Sequence, residues 1–153
     1  MKSSNTIKTF AMAAAAALAL AVAPPAKAQV NKGCNLATMQ GTFAYTVTGS
    51  FVAAPAQLGL YAEVGAQTFD GNGNTAVNGM SNNNGTAAAT ARAGTYIVNS
   101  DCTGTFSIQI APGIASHYFF VIASDGSAYQ AVCLDPVAVI TRSGTRLYPG
   151  RAI

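Results

Sequence analysis

A run of alternating apolar and polar residues is the sequence feature that most restricts how this chain can fold. Residues 94–110 consist of two such runs joined by the polar turn Asn-Ser-Asp, which is followed by Cys102. In the second run the two alternating phases are Gly104, Phe106, Ile108 and Ile110 against Thr103, Thr105, Ser107 and Gln109. Because the side chains of a strand alternate between its faces, this period of two predicts a β-hairpin with one side toward a core and one toward water.

Similar runs recur along the chain, separated by short clusters of Gly, Asn, Asp and Pro. The strands predicted outside the hairpin are residues 41–48, 58–69, 74–80, 86–92, 116–123, 127–134 and 137–142. In the predicted strand at residues 58–69, alternate positions are apolar and share one face, namely Leu58, Leu60, Ala62 and Val64. Eight or nine short strands at even spacing, without a convincing amphipathic helix, predict an all-β domain that is a sandwich or a barrel.

Tight turns between successive strands favour one of these architectures. Residues 70–73 (Asp-Gly-Asn-Gly) and the pair Asp125-Gly126 accept positive φ at low cost, as tight hairpin turns require. Such turns favour an up-and-down meander, and closing the meander removes its exposed edges. We therefore predict a single up-and-down antiparallel β-barrel of about eight strands, with a β-sandwich as the alternative.

The first residues have the pattern of an export signal. Lys2 and Lys8 precede an almost unbroken Ala/Leu run over residues 10–22, and Ala26-Lys27-Ala28 matches a small-x-small cleavage site. We predict a signal peptide at residues 1–28 and a β-barrel domain at residues 29–153. The apolar run is shorter than the about 20 residues that span a membrane, and no later stretch is long and apolar enough. We expect a secreted or periplasmic protein without a transmembrane span after cleavage.

The charge of the chain changes when the signal is removed. The full sequence has a formal net charge of +3, but Lys2, Lys8 and Lys27 all belong to the predicted signal. The remaining five basic residues balance five acidic ones. A neutral chain lacks the electrostatic footprint of a nucleic-acid binder, so no nucleic-acid partner is expected. A net charge near zero is also compatible with self-association.

Three cysteines remain after the predicted cleavage, so one has no intramolecular partner. Cys34 and Cys102 both stand beside turn residues where loops meet strands, whereas Cys133 lies inside a predicted strand. Because export favours oxidation, we predict a disulfide between Cys34 and Cys102. We interpret Cys133 as a buried small hydrophobic residue.

Several short motifs resemble those of a family of small, functionally uncharacterised exported bacterial proteins. They are Cys34 followed by GTF (residues 41–43), FDGNG (69–73), GTYIVNSDCTGT (94–105) and Asp125-Gly126, and they span nearly all of the predicted mature chain. The resemblance implies no known activity. The layout is also similar to that of the calycins, the lipocalin and avidin group, with Phe43 in place of the first-strand tryptophan. That similarity implies that an arginine of the last strand, Arg142 or as second choice Arg146, lies over the Phe43 ring.

Candidate catalytic and metal-binding patterns are weak. Folding a hairpin about Asp125-Gly126 places His117, the only histidine, opposite Leu134 or Cys133, but a histidine on the wet face of a strand is the more ordinary interpretation. Asp70-x-Asn-x-Asn begins like a calcium loop, yet the Gly at position six and the Glu at position twelve are missing. We therefore expect no enzyme activity, no metal site and no cofactor.

Aromatic residues are spread over most predicted strands and are candidates for lining a pocket. The candidates are Phe43, Tyr45, Tyr96, Phe106, Tyr118, Phe120 and Tyr129. We expect an exported, non-enzymatic barrel that binds a small apolar or amphipathic molecule or a partner protein. The alternative is a structural or surface-interaction protein with a solid barrel and a self-associating polar exterior. A void of a few hundred Å³ would favour binding, and a filled core would favour the alternative.

Overall fold

The computed structural model describes residues 33–54, 56 and 58–147. A short 3-10 helix, η1, precedes eight strands, and the elements are η1 Leu36–Met39, β1 Gly41–Phe51, β2 Gly59–Phe69, β3 Asn74–Asn83, β4 Thr86–Val98, β5 Thr103–Ala111, β6 Ile114–Ile122, β7 Ala128–Cys133 and β8 Ala138–Arg146. Each strand pairs antiparallel with the next, and β8 pairs with β1, so the sheet closes into an up-and-down barrel. The predicted fold is confirmed, and the chain does not form a sandwich.

The predicted signal peptide, residues 1–28, lies outside these described residues. Within them, no helix has the length and the apolar character needed to cross a membrane.

The strand boundaries differ from the prediction mainly in β4. Residues 86–92 and the first half of the predicted hairpin form one continuous strand, so the described residues contain eight strands. In β5, Gly104, Phe106 and Ile108 face the interior as predicted. Ile110, predicted on the same face, is 43% exposed because it lies near the end of the strand, where the barrel opens.

β2 carries its apolar phase on the outside of the barrel. Leu60 and Val64 are 71% and 58% exposed, whereas the polar residues Glu63 and Gln67 are buried. The position of Phe69 explains why these two polar side chains face inward. Phe69 is 1% exposed, and it lies an even number of residues after both Glu63 and Gln67. Because alternate residues share a face, anchoring Phe69 in the core turns Glu63 and Gln67 inward.

Aromatic side chains fill the part of the interior that lies next to η1. Phe106 stacks with Tyr118 and with Phe120 at centroid distances of 4.8 and 5.7 Å. Tyr129 meets Phe43 edge-on at 5.6 Å. Offset and edge-on arrangements of this kind are favourable beyond the burial of apolar area. This part of the barrel is therefore a packed core.

The residues that precede β1 close one end of the barrel. Met39 of η1 is fully buried, and the hydroxyl of Tyr96 donates to the carbonyl oxygen of Leu36 at 3.1 Å. The predicted disulfide Cys34–Cys102 is present and ties this segment to the turn between β4 and β5. Cys133 is free, as predicted, but it is only partly buried and not buried as the sequence had indicated, because it stands at the end of β7. We call this the closed end, and the opposite one, where β1 ends and β2 begins, the open end.

Arg146, and not Arg142, lies over the ring of Phe43. Its guanidinium carbon is 4.5 Å from the ring centroid, and Nη2 donates to the carbonyl oxygen of Thr38 at 2.8 Å. The first choice of Arg142 for this contact is wrong, because the register between β1 and β8 pairs Phe43 with Arg146. Arg142 instead stacks on the ring of Tyr45, at 3.7 Å from its centroid.

We expect Arg146 and Phe43 to be energetically coupled. In a double-mutant cycle of Arg146→Lys and Phe43→Leu, the coupling should be about 0.5 to 2 kcal/mol, because lysine keeps the charge but loses the planar stacking surface. Urea unfolding of the four proteins measures it. Losses that simply add within about 0.3 kcal/mol would show that the stacking does not contribute.

Candidate functional site

A cavity of about 200 Å³ lies at the open end, and every strand except β7 contributes to its lining. Its apolar lining residues are Phe51, Ile108, Ile110 and Ile140. Its polar lining residues are Tyr61, Glu63, Ser81, Asn83, Arg92, Ser116, Tyr118 and Arg142. The side chains that face the interior are therefore aromatic at the closed end and a mixture of apolar, polar and charged at the open end.

Glu63 is the acidic side chain of this cavity and is only 6% exposed. Its Oε1 accepts hydrogen bonds from the hydroxyls of Tyr45 at 2.6 Å and Thr90 at 2.9 Å, and its Oε2 accepts from the hydroxyl of Tyr61 at 2.6 Å. Arg92 Nη1 lies 3.8 Å from the same Oε2. The carboxylate therefore has a donor on each oxygen and a nearby opposite charge, which are the conditions a buried charge requires.

A glycine in β3 makes room for the contact between Tyr45 and Glu63. A Cβ at Gly79 would lie 2.8 Å from the hydroxyl oxygen of Tyr45 and would also collide with the carbonyl oxygen of Val64. Only a residue without a side chain allows the tyrosine hydroxyl to pass this point of the wall.

Arg142 is 3% exposed and is less completely paired than Glu63. Nε donates to the hydroxyl of Tyr129 at 3.2 Å, and the guanidinium lies over the Tyr45 ring. Nη2 is buried without a hydrogen-bond partner among the described residues. Arg142 also takes part in none of the ion pairs among the described residues. Asn83 in the same lining also leaves Oδ1 buried and unpaired. Unpaired buried polar groups are costly, which makes them candidates for contacting a ligand.

Hydrogen bonds keep Glu63 ionised, and burial keeps its tyrosine partners neutral. Burial alone would raise the pKa of Glu63, but the hydrogen bonds from the three hydroxyl groups, together with the positive charge of Arg142, outweigh it and lower the pKa below its usual value. Burial, followed by the hydrogen bond to Glu63, raises the pKa of both Tyr45 and Tyr61. The site therefore contains a carboxylate and neutral phenols at neutral pH.

The lowered pKa of Glu63 predicts a loss of stability in acid. A group whose pKa is lower in the folded than in the unfolded state stabilises the fold above its unfolded pKa, near 4.5, and loses that contribution as the pH falls through its folded pKa. We expect the unfolding free energy to fall below about pH 4.5 more steeply in the wild type than in Glu63→Gln. Urea unfolding over a pH series measures this, and parallel pH profiles would contradict it.

The seven aromatic residues predicted to line a pocket are all buried in the barrel, but most of them form its core. Of the seven, only Tyr118 lines the open-end cavity. Tyr45 reaches the site through its hydrogen bond to Glu63 and its ring under Arg142. Sequence reasoning missed Glu63 as an interior residue, although its phase with Phe69 was a usable signal.

The side chains of His117 and Cys133 form their hydrogen bonds with Asp135 and not with each other. As predicted, their strands are neighbours, and the amide of Leu134 donates to the carbonyl oxygen of His117 at 2.8 Å. Asp135 contacts both side chains, with Oδ1 2.9 Å from His117 Nδ1 and Oδ2 accepting from the Cys133 thiol at 3.5 Å. Burial raises the pKa of the Cys133 thiol, whereas a nucleophilic cysteine needs a lowered one.

The calcium-like segment is a hairpin turn. Asp70 Oδ1 accepts from the amides of Asn72 at 2.7 Å and Asn74 at 2.9 Å, and Oδ2 accepts from the Asn74 side chain at 2.7 Å. Both carboxylate oxygens are thus used within the turn. In the described part of the chain, no group of three or more His, Cys, Asp or Glu side chains is placed to hold a metal ion.

Comparisons with known proteins leave the site to be interpreted from its own geometry. No family model, no curated protein and no solved structure matches the chain. The resemblance to exported bacterial proteins stays a prediction.

Proposed function

We propose that this protein is an exported, non-enzymatic β-barrel that binds a small apolar or amphipathic molecule in the open-end cavity. The observation that carries the proposal is the division of the interior. Aromatic rings fill the closed end, whereas about 200 Å³ stays open beside Glu63 and Arg142. Small-molecule sites combine apolar walls with convergent polar groups, and this cavity has four apolar and eight polar lining residues.

Export is supported by two features of the chain. A signal peptide at residues 1–28, as the sequence predicts, would direct the chain out of the cytoplasm. The Cys34–Cys102 disulfide is compatible with an oxidising compartment.

Binding is a better interpretation of the cavity than catalysis. A general base needs a pKa near the working pH, but the pKa of Glu63 is lowered and its oxygens already accept three hydrogen bonds. A guanidinium such as that of Arg142 stays protonated in proteins, so it does not act as a general acid or base. These groups are suited to orienting a ligand.

Titration with 1-hexanol, a small neutral amphiphile, tests the proposal. We expect saturable amide shifts in heteronuclear NMR spectra that are concentrated at the open end. Ser116→Phe adds a ring to the cavity lining and should weaken binding at least about tenfold, or about 1.4 kcal/mol. Ser143→Phe, the same change on the outer face of β8, is the matched control and should leave binding unchanged. Shifts that do not saturate, or that Ser116→Phe leaves in place, would contradict the proposal.

The alternative, self-association, is favoured by one observation on the outer wall. The charged residues within the described strands, Glu63, Arg92, Arg142 and Arg146, all lie on the inward phase, so the outer faces of these strands carry no Asp, Glu, Lys or Arg. Val64, Met80 and Ala89 are neighbours across three strands on that wall, and the first two are more than half exposed. A second copy of the chain would meet this surface without repulsion between charges.

Sedimentation equilibrium tests the association. If the outer wall associates, the wild type should dimerise and Met80→Lys should be monomeric. Gln130→Lys, an outward position on β7 across the barrel, is the matched control and should dimerise like the wild type. A wild type that stays monomeric at all concentrations, or a dimer that Met80→Lys leaves intact, would contradict this function.

A further inference from the structure

We infer that the molecule bound in the open-end cavity carries a single carboxylate and that Arg142 holds it. The inference rests on the proposed function and names the chemical class of its ligand. It is carried by the charge balance of the cavity, by the unpaired nitrogen of Arg142 and by the size of the space.

The charged side chains of the cavity leave one positive charge in excess. Among the described lining residues, Glu63 is the only acid, and Arg92 and Arg142 are the two bases. An arginine in a protein is always protonated. A ligand with one negative charge would make the site neutral, whereas a cation or a dianion would leave a net charge in a poorly solvated space.

The two arginines differ in what they can offer to such a ligand. Arg92 lies 3.8 Å from Glu63, and its side chain is 26% exposed, so the carboxylate and water both compensate its charge. Arg142 is almost fully buried, forms no close ion pair with an acidic residue of the described chain, although its charge helps to lower the pKa of Glu63, and leaves Nη2 without a partner. A carboxylate accepts parallel hydrogen bonds from a guanidinium. It would therefore satisfy both the charge and the unpaired nitrogen of Arg142.

The size and the walls of the cavity restrict the rest of the ligand. A volume of about 200 Å³ corresponds to about seven water molecules at roughly 30 Å³ each, so the ligand has about six to ten non-hydrogen atoms. Ile108, Ile110 and Ile140 offer apolar contacts around this space. A short aliphatic or single-ring monocarboxylate has the matching charge, size and apolar body.

Hexanoate and hexanamide, which have the same number of non-hydrogen atoms and differ in charge, test the inference at about pH 7. We expect wild-type protein to bind hexanoate at least about tenfold more tightly than hexanamide in NMR titrations, because only the carboxylate pairs with the guanidinium. Arg142→Met removes the charge at similar side-chain size, and it should abolish this preference while hexanamide binding persists. Arg146→Met, the same change at the closed end, is the matched control and should keep the preference.

The outcomes separate this inference from the proposed function. Equal affinities of wild-type protein for hexanoate and hexanamide would overturn the role of the carboxylate while leaving small-molecule binding intact. A preference that survives in Arg142→Met would overturn the role of Arg142. Absence of binding for hexanoate, hexanamide and 1-hexanol alike would overturn the proposed function itself. If Arg142→Met does not fold, the comparison of the two ligands on wild-type protein still decides whether the carboxylate matters.

Discussion

Replacing Glu63 with alanine is expected to lower the free energy of unfolding by about 3 to 5 kcal/mol, because it removes a buried carboxylate and leaves its hydrogen-bond donors without an acceptor. The variant would remove the acceptor of three hydroxyl groups, those of Tyr45, Tyr61 and Thr90. It would also leave Arg92 without its carboxylate partner. Urea unfolding followed by circular dichroism measures the loss.

Glu63→Gln is the matched control for this prediction. Glutamine keeps the shape and one acceptor oxygen but removes the charge, so we expect a loss between those of the wild type and Glu63→Ala. If Glu63→Ala costs less than about 1 kcal/mol, as for an exposed ion pair, the hydrogen-bond network around Glu63 does not stabilise the barrel. That result would also remove the reason for placing an ionised carboxylate in the cavity.

Loss of the Cys34–Cys102 disulfide is expected to destabilise the protein by about 3 to 5 kcal/mol. The bond joins residues 68 positions apart, so in the chain-entropy description it greatly restricts the unfolded ensemble. It also fixes the segment that carries Met39 into the core at the closed end. Urea unfolding of the double variant Cys34→Ser/Cys102→Ser measures the effect.

Cys133→Ser provides the control for the disulfide variant. Cys133 is unbonded and only partly buried, so its replacement should cost much less than the loss of the cross-link. An unchanged unfolding midpoint in the double variant would show that the disulfide adds no stability to the closed barrel.

The fold could be predicted because it follows from local features of the sequence. The period of two in β5 and the Gly and Asn residues between strands indicate a meander of short strands, and the turn at Asp125-Gly126 indicates the register between β6 and β7. The disulfide could be predicted because Cys34 and Cys102 both stand beside turns. None of these inferences needs the relative position of strands that are distant in sequence.

The candidate site was predicted less well because it depends on how the sheet closes. The register of β8 against β1 is set by closure of the whole barrel, and it pairs Arg146 rather than Arg142 with Phe43. This places Arg142 on the Tyr45 ring, in the cavity lining. Both faces of β2 carry large side chains, so the composition of the strand does not show which face, and therefore whether Glu63, points inward.

The most direct test of small-molecule binding is the position of a bound ligand inside the barrel. Isotope-filtered NOE spectra of labelled protein saturated with hexanoate report which protein methyl groups lie next to its chain. We predict NOEs to the methyl groups of Ile108 and Ile140 in the open-end cavity and none to Leu60 or Val64 on the outer wall. NOEs confined to the outer-wall methyl groups, or the absence of any NOE at saturation, would contradict it.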